Sequence, residues 1–281
     1  MQKRNKVLTI IPSLYGGGAE RFVADLTSSL CKEYDHTLVT YNRKSGMYSF
    51  EGELIELPVR ESNSPISRFI RFHRLKRRLG KLKGEKVPSV SISHMLIPNL
   101  LNVLTRKEGK VICVIHGQWS IGLNSLPFLN VLFKKLYARA DVIVSVSQFI
   151  QEKFVEAYPL GVSHEIIHAG VDIDRVLIQS QETIEQPLPE EYLVYVAGFR
   201  EVKNHISLLH NLKDFLKSSN YSLVLVGEGP KRKEIEATIS NLGLSDSVIL
   251  LGGLLNPYPV VKGAKLSLMV SSSESFSLVV V

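Results

Sequence analysis

The chain has little cysteine and no long apolar run. Cys31 and Cys113 are its two cysteines in 281 residues, and each sits among apolar neighbours, one in a helical pattern and one in a strand pattern. That reads as reduced core thiols of a cytoplasmic protein, and two thiols alone make no metal centre. No stretch reaches the roughly 18 consecutive apolar residues that cross a bilayer. The opening MQKRNKVLTIIPSLYGGGA has a basic start and an apolar stretch, but Pro12 and Tyr15 interrupt it and no A-x-A follows, so it reads as a first strand and not a secretory leader. Nucleotide signatures are missing too. There is no Walker loop, and G-x-G-x-x-G fails because Arg21 stands where its last glycine belongs, while the second strand runs into Tyr41 and Asn42 with no acid for a ribose. No Ser-His-Asp or Cys-His pattern supports a hydrolase.

What is present is ordinary for a globular protein, at 44% hydrophobic and 22% charged residues. The net charge of +7 is concentrated in one place. Between Arg68 and Lys86 lie nine basic residues and one acid, Glu85, a local +8 that leaves the rest of the chain at −1. In the same segment Phe69, Phe72, Leu75, Leu79 and Leu82 recur at steps of three and four, which predicts an amphipathic helix. Apolar strands are expected at Val7 to Ile11, Thr37 to Tyr41, Leu54 to Val59, Val90 to Ser93, Val111 to His116 and Val142 to Val146, and amphipathic helices alternate with them. A second series starts at Tyr192. Such alternation marks parallel sheets covered on both faces. The expected organisation is a first Rossmann-like domain over 1–173, a linker over 174–190, rich in Gln, Glu and Pro, and a second, incomplete domain over 191–281.

The stretch AGFREVKNH, Ala197 to His205, follows the first strand of the second series and precedes an amphipathic helix. In an open α/β sheet ligands sit at the carboxyl ends of the strands, so Arg200 and Lys203 stand where an anion would bind. A planar fork, a point charge and the free N–H groups of a helix N-terminus together suit a diphosphate. Two solvated surface cations are the ordinary alternative. Gly16, Gly17 and Gly18 form a turn that lets backbone approach a ligand closely, or simply a tight turn. His116 ends the strand VICVIH at the edge of the first sheet, a place where most histidines are only hydrogen-bonded. Asp172 and Asp174 form a D-x-D in a connection, which reads as helix capping, so no metal is assigned.

Taken in series, GGGAER, IHG at 115–117, AGVD at 169–172, AGFREVKNH, LVGEGPKRKEIE at 225–236 and SSSESFSLVVV at 271–281 carry a family likeness. The chain resembles the family-4 retaining glycosyltransferases over nearly its whole length. The resemblance implies a GT-B fold, two Rossmann-like parallel-sheet domains facing a cleft. It also implies transfer of a hexose or N-acetylhexosamine from a nucleotide diphosphate sugar to a glycan or lipid-linked acceptor, with retention, in bacterial surface polysaccharide or lipopolysaccharide synthesis. By that likeness Arg200 and Lys203 hold the donor diphosphate, and Glu274, followed by Ser275 and Phe276, contacts the donor sugar. Gly227, Glu228 and Gly229 border the nucleotide, the Gly16 to Gly18 loop faces the reactants, and His116 lies near the transferred sugar. Neither a cofactor nor a metal is implied. Ser275 and Ser277 stand where the family often has glycine. A second motif glutamate would fall one position beyond Val281, so a C-terminally truncated chain is expected, and the alternative function is an inactive fragment serving only as a membrane- or partner-binding module. Partners are otherwise the sugar donor, the acceptor and an anionic membrane reached through Arg68 to Lys86, at the inner face of the cell membrane. Nucleic acid is not among them, because Phe and Leu on one face of a basic helix suit lipid at least as well.

Overall fold

The computed structural model of the protein describes residues 4–42, 48–59, 64–117 and 127–280. Two compact units emerge, Met1–Gly170 and Val171–Val281. The first runs β1 (Lys6–Ile10), α1 (Gly18–Glu33), β2 (Asp35–Thr40), β3 (Glu53–Glu56), α2 (Pro65–Lys86), β4 (Val90–His94), α3 (Leu96–Leu104), β5 (Lys110–Ile115), α4 (Pro127–Tyr137), β6 (Val142–Ser145), α5 (Gln148–Ala157) and β7 (Ser163–Ile166). Its strands pair in the order β3-β2-β1-β4-β5-β6-β7, all parallel. Both faces of the central strands are covered. Leu8 and Ile10 pack with Leu75, Leu79 and Leu101 from α2 and α3, while Ile11 meets Val23 and Ala24 of α1 on the other side. That double burial is why β1 and β5 read as nearly continuous apolar runs. The chain order reverses between β1 and β4, which makes their carboxyl ends the crevice of the sheet.

The second unit comprises α6 (Ile173–Gln179), β8 (Tyr192–Val196), a 3-10 turn (Glu201–Lys203), α7 (His205–Ser218), β9 (Ser222–Val226), α8 (Arg232–Leu242), β10 (Val248–Gly252), α9 (Tyr258–Gly263) and the two-residue β11 (Leu266–Ser267). Its parallel sheet has the order β10-β9-β8-β11, so the reversal falls between β8 and β11. Leu209, Leu216, Ile235 and Ile239 from α7 and α8 close over Leu193, Tyr195, Leu223 and Leu225.

Within 174–190, the expected linker, the structure places most of α6. Asp172 Oδ1 accepts the N–H of Arg175 at 3.0 Å, an N-cap. Asn256 donates to the Gln179 carbonyl at 2.9 Å and to Glu182 at 2.7 Å, and Lys262 donates to Gln181 at 2.7 Å. Polar side chains hold the end of α6 in this way, and further along the segment Ile184 and Leu188 pack against the core of Tyr192, Val194 and Val260.

Helix α2 forms as its periodicity predicts, and Phe72, Leu75, Leu79 and Leu82 of the expected stripe face the core, with Phe69 alone of the five left out. Leu75, Leu79 and Leu82 are buried, while Phe69 is 65% exposed together with Ile66 and Ile70. Several of its cations serve the fold. Arg71 donates to Asn42 and lies over the Tyr41 ring, Arg78 donates to the Pro58 carbonyl at 2.7 Å, and Lys86 pairs with Glu53. Lys83 is buried, with its ammonium on Ser91 Oγ at 3.2 Å, the Asn102 carbonyl at 3.1 Å and Asn102 Oδ1. Burial lowers its pKa to about 7. Lys83 is therefore not one of the outward cations that the charge count suggested.

Candidate active site

The turn after β8 is built by main-chain pairing with its neighbours. Phe199 N–H donates to the Glu228 carbonyl at 2.9 Å, and Lys231 N–H returns to the Phe199 carbonyl at 3.0 Å. These contacts are possible because Gly227 and Gly229 lack side chains: a Cβ would overlap the Ala197 carbonyl oxygen at the first and the Phe199 carbonyl oxygen at the second. The GEG turn is thus held against the Arg200 turn by close backbone packing, and the exposed Glu228 carboxylate turns to Arg232. Phe199 is fully buried, which fixes the turn so that Arg200 projects outward. Arg200 is exposed and makes no ion pair among the described residues.

Lys203 ends the 3-10 turn and pairs with Glu274. The loop carrying Glu274 is stitched to this turn: Ser272 N–H donates to the Val202 carbonyl at 2.9 Å, Asn204 to the Val270 carbonyl at 2.9 Å, and Tyr195 OH reaches the Lys203 carbonyl at 2.9 Å and Ser271 Oγ at 3.2 Å. A cation and a carboxylate are thereby held side by side, each about a quarter exposed, at the β8/β11 reversal. Asn204 adopts a left-handed conformation (φ 52°) that joins the 3-10 turn to α7, and no acid occupies the first turn of α7. Helix dipole and cations therefore add. The described residues 271–280 form bends and turns, with Ser275 and Phe276 half-buried there. Val281 lies outside the described residues.

His205, which opens α7, was not singled out in the sequence. Its ring lies between Tyr195 and Phe199, with centroids at 4.8 and 4.9 Å. Burial, then the Lys203 charge, lowers its pKa to about 4, so it is a neutral packing piece beneath the Arg200 and Lys203 turn.

On the first unit the β1/β4 crevice holds a different arrangement. Gly16 takes φ 76°, a left-handed conformation that suits glycine, and turns the chain into α1, whose N-cap is Gly17. Glu20, in the first turn of α1, lies against Gly17. A carboxylate there makes the terminus unfavourable for a diphosphate. His116 follows β5 and is buried, its Nε2 sharing a 2.9 Å hydrogen bond with His94 Nδ1 at the end of β4. Phe22 of α1 meets both rings edge-on, at 6.1 and 5.6 Å. Burial takes the His116 pKa down to about 4, and burial with the neighbouring His116 takes His94 well below its ordinary value. Both imidazoles are neutral near pH 7, and the second nitrogen of His94, Nε2, has no partner among the described residues. Sequence reading passed over His94. Its signal was the parallel between ISH and VIH, two strands ending alike.

Among the described residues no group of three His, Cys, Asp or Glu side chains could hold a metal ion, and no helix is long and apolar enough to cross a membrane.

Comparison with solved structures defines the class. Sucrose-phosphate synthase from Thermosynechococcus elongatus superposes with a TM-score of 0.78 at 14% identity, over 98% of this chain and 78% of that one. Anabaena HepE, solved with UDP-glucose, gives 0.70 at 16% identity, over 98% and 76%. The fold is the GT-B type, with parallel α/β sheets. Residues 16–175 match Glycosyltransferase Family 4, and residues 179–281 match Glycosyl transferases group 1; the chain belongs to glycosyltransferase family 4. Among curated proteins, the Campylobacter jejuni N-acetylgalactosamine-N,N'-diacetylbacillosaminyl-diphospho-undecaprenol 4-alpha-N-acetylgalactosaminyltransferase is 27% identical, over 98% of this chain and 77% of that protein. N-acetyl-alpha-D-glucosaminyl L-malate synthase of Bacillus anthracis is 26% identical, over 67% and 51%.

Proposed function

We propose that this glycosyltransferase takes a hexose or N-acetylhexosamine from a nucleotide diphosphate sugar and transfers it to a glycan or lipid-linked acceptor, with retention at the anomeric carbon. The observation that carries the reading is the Arg200 and Lys203 turn at the β8/β11 reversal, with Glu274 held against Lys203. Two cations and a helix N-terminus meet the diphosphate, and their value rises as the bond to the sugar lengthens and charge gathers on the departing oxygen. Glu274 accepts from sugar hydroxyls. The sugar–oxygen bond to the diphosphate breaks, a bond to the acceptor oxygen forms on the same face, and the leaving diphosphate takes the acceptor proton. No protein nucleophile and no divalent metal take part. His116, neutral and fixed by His94, offers an uncharged hydrogen-bonding group on the first unit, suited to a sugar hydroxyl rather than to phosphate. Names among the relatives favour this class of reaction: the Campylobacter enzyme is named for a diphospho-undecaprenol acceptor, and HepE was solved with UDP-glucose. The work place is the inner face of a cell membrane, with α2 as the contact.

The test is thermal stabilisation by a panel of nucleotide sugars, followed by turnover in excess chelator and assignment of the anomeric configuration of the product. Stabilisation by one nucleotide sugar, undiminished turnover and a retained configuration are expected. Loss of turnover restored by manganese, or an inverted product, overturns the mechanism.

A further inference from the structure

A groove of about 280 Å³ opens on the first unit between α2 and the end of α3, and none of the residues assigned to the reaction lines it. His73, Lys76 and Arg77 form one wall, and Thr105, Arg106 and Lys107 the other. Arg106 is engaged with the Arg139 carbonyl and with Asp141 at 2.7 Å. Lys76, Arg77 and Lys107 have no ion pair among the described residues. Three unpaired cations around one concavity repel each other and hold counter-ions, a cost that an anionic ligand removes.

The groove does not stand alone on the helix. Ile66, Phe69 and Ile70 are all exposed, and at steps of three and four they continue the same face of α2 into His73 and Arg77. Phe69 stacks on His73 at 4.5 Å, which joins the apolar end to the basic groove. Because α2 runs antiparallel to the strands, the apolar end lies toward their carboxyl edge, where the β1/β4 crevice is. A free phosphate or a nucleic acid explains the cations and leaves Ile66, Phe69 and Ile70 unexplained. A phospholipid explains both, since its headgroup matches the groove and its acyl region the apolar end.

We propose that the groove between α2 and the end of α3 is a binding site for the phosphate of an anionic phospholipid, with Ile66, Phe69 and Ile70 entering the bilayer beside it. The site rests on the reading of α2 as the membrane contact, and sharpens it from diffuse attraction to a defined headgroup pocket.

The experiment is sedimentation of the full chain with vesicles of phosphatidylcholine alone and of phosphatidylcholine mixed equally with phosphatidylglycerol. Three double variants, each checked for unchanged thermal unfolding, separate the terms: Arg77→Gln with Lys107→Gln in the groove, Arg68→Gln with Arg74→Gln outside it, and Ile66→Ser with Phe69→Ser. Attraction of about 1 kcal/mol per basic residue acts on both charge pairs alike. The groove pair is expected to lose at least about tenfold more affinity than the matched pair, and the serine pair to lose binding at unchanged charge. Equal losses from the two charge pairs overturn the pocket and leave the membrane contact standing, whereas no binding to either vesicle overturns both. With Arg200 and Lys203 both changed to Ala to remove the other diphosphate site, inorganic diphosphate that still protects the chain, and no longer does so once the groove pair is also changed, with vesicle binding unaltered, makes it a free-anion site. A double-stranded oligonucleotide weakened by the groove pair, with vesicle binding intact, makes it a nucleic-acid surface.

Discussion

The two crevices of this protein are built on the same parallel-sheet plan and carry opposite chemistry. At the β1/β4 crevice, two neutral imidazoles and a phenyl ring are buried together, and a carboxylate, Glu20, stands in the first turn of the adjoining helix. At the β8/β11 edge, Arg200 is exposed, Lys203 and Glu274 form a pair about a quarter exposed, and the adjoining helix has no acid in its first turn. The same fold element, a helix N-terminus after a strand, is therefore tuned against an anion in one unit and toward it in the other. The fold supplies the location, and the side chains choose the ligand.

The sharpest way to break this contrast is at the charged edge. Arg200→Ala and Lys203→Ala should each weaken nucleoside diphosphate binding by roughly one to two orders of magnitude, from about 1.5 to 3 kcal/mol per charge-assisted contact. Titration calorimetry with UDP and GDP reads it. Unchanged affinity in both variants removes the diphosphate site from this turn.

The neutral edge should respond in turnover and not in nucleotide affinity. His116→Ala is expected to lower kcat by about 10²-fold, the scale of one lost positioned donor, with UDP affinity unchanged. His94 acts by orienting His116, so His94→Leu should reduce kcat less, and His94→Asn, whose amide reaches the place of Nδ1, should restore most of it. Equal defects in the Leu and Asn variants would mean that His94 merely fills space.

Acid should expose the neutrality of the histidines as a stability effect. Their folded pKa values lie below the ordinary 6.5 of the unfolded chain, about 4 for His116 and His205. The unfolded state therefore binds protons first, and stability, whole above about pH 6.5, falls as pH drops toward 4 and loses nothing more from these groups below that. At about 1.4 kcal/mol per pH unit, His116 alone contributes on the order of 3 kcal/mol. Urea unfolding of wild type and His116→Phe between pH 7 and 4.5 should show a shallower slope in the variant, and parallel curves would contradict its burial as a neutral group.

The smallest effect concerns a charge that belongs to neither edge. Lys83→Met should cost about 1 to 3 kcal/mol, because Asn102 and Ser91 lose their donor in a dry core, and should leave binding to anionic vesicles unchanged. Weaker vesicle binding at unchanged stability would return Lys83 to the surface.

The sequence by itself determined the alternation of strands and helices, the two-series α/β plan and the position of the Arg200 and Lys203 turn, because these depend on local periodicity and on glycines that only close backbone approach requires. It could also show that charge gathers between Arg68 and Lys86. Tertiary structure alone decided which of those cations are free. Lys83 and Phe72 lie one turn or less from exposed neighbours, and only the contacts with Ser91 of β4 and Asn102 of α3 turn Lys83 inward, while Phe69 stays out. It alone brought His94 to His116, 22 residues apart in the chain, and Glu274 to Lys203, 71 apart. Contacts of that range follow from the order of the strands in each sheet, which local periodicity does not encode.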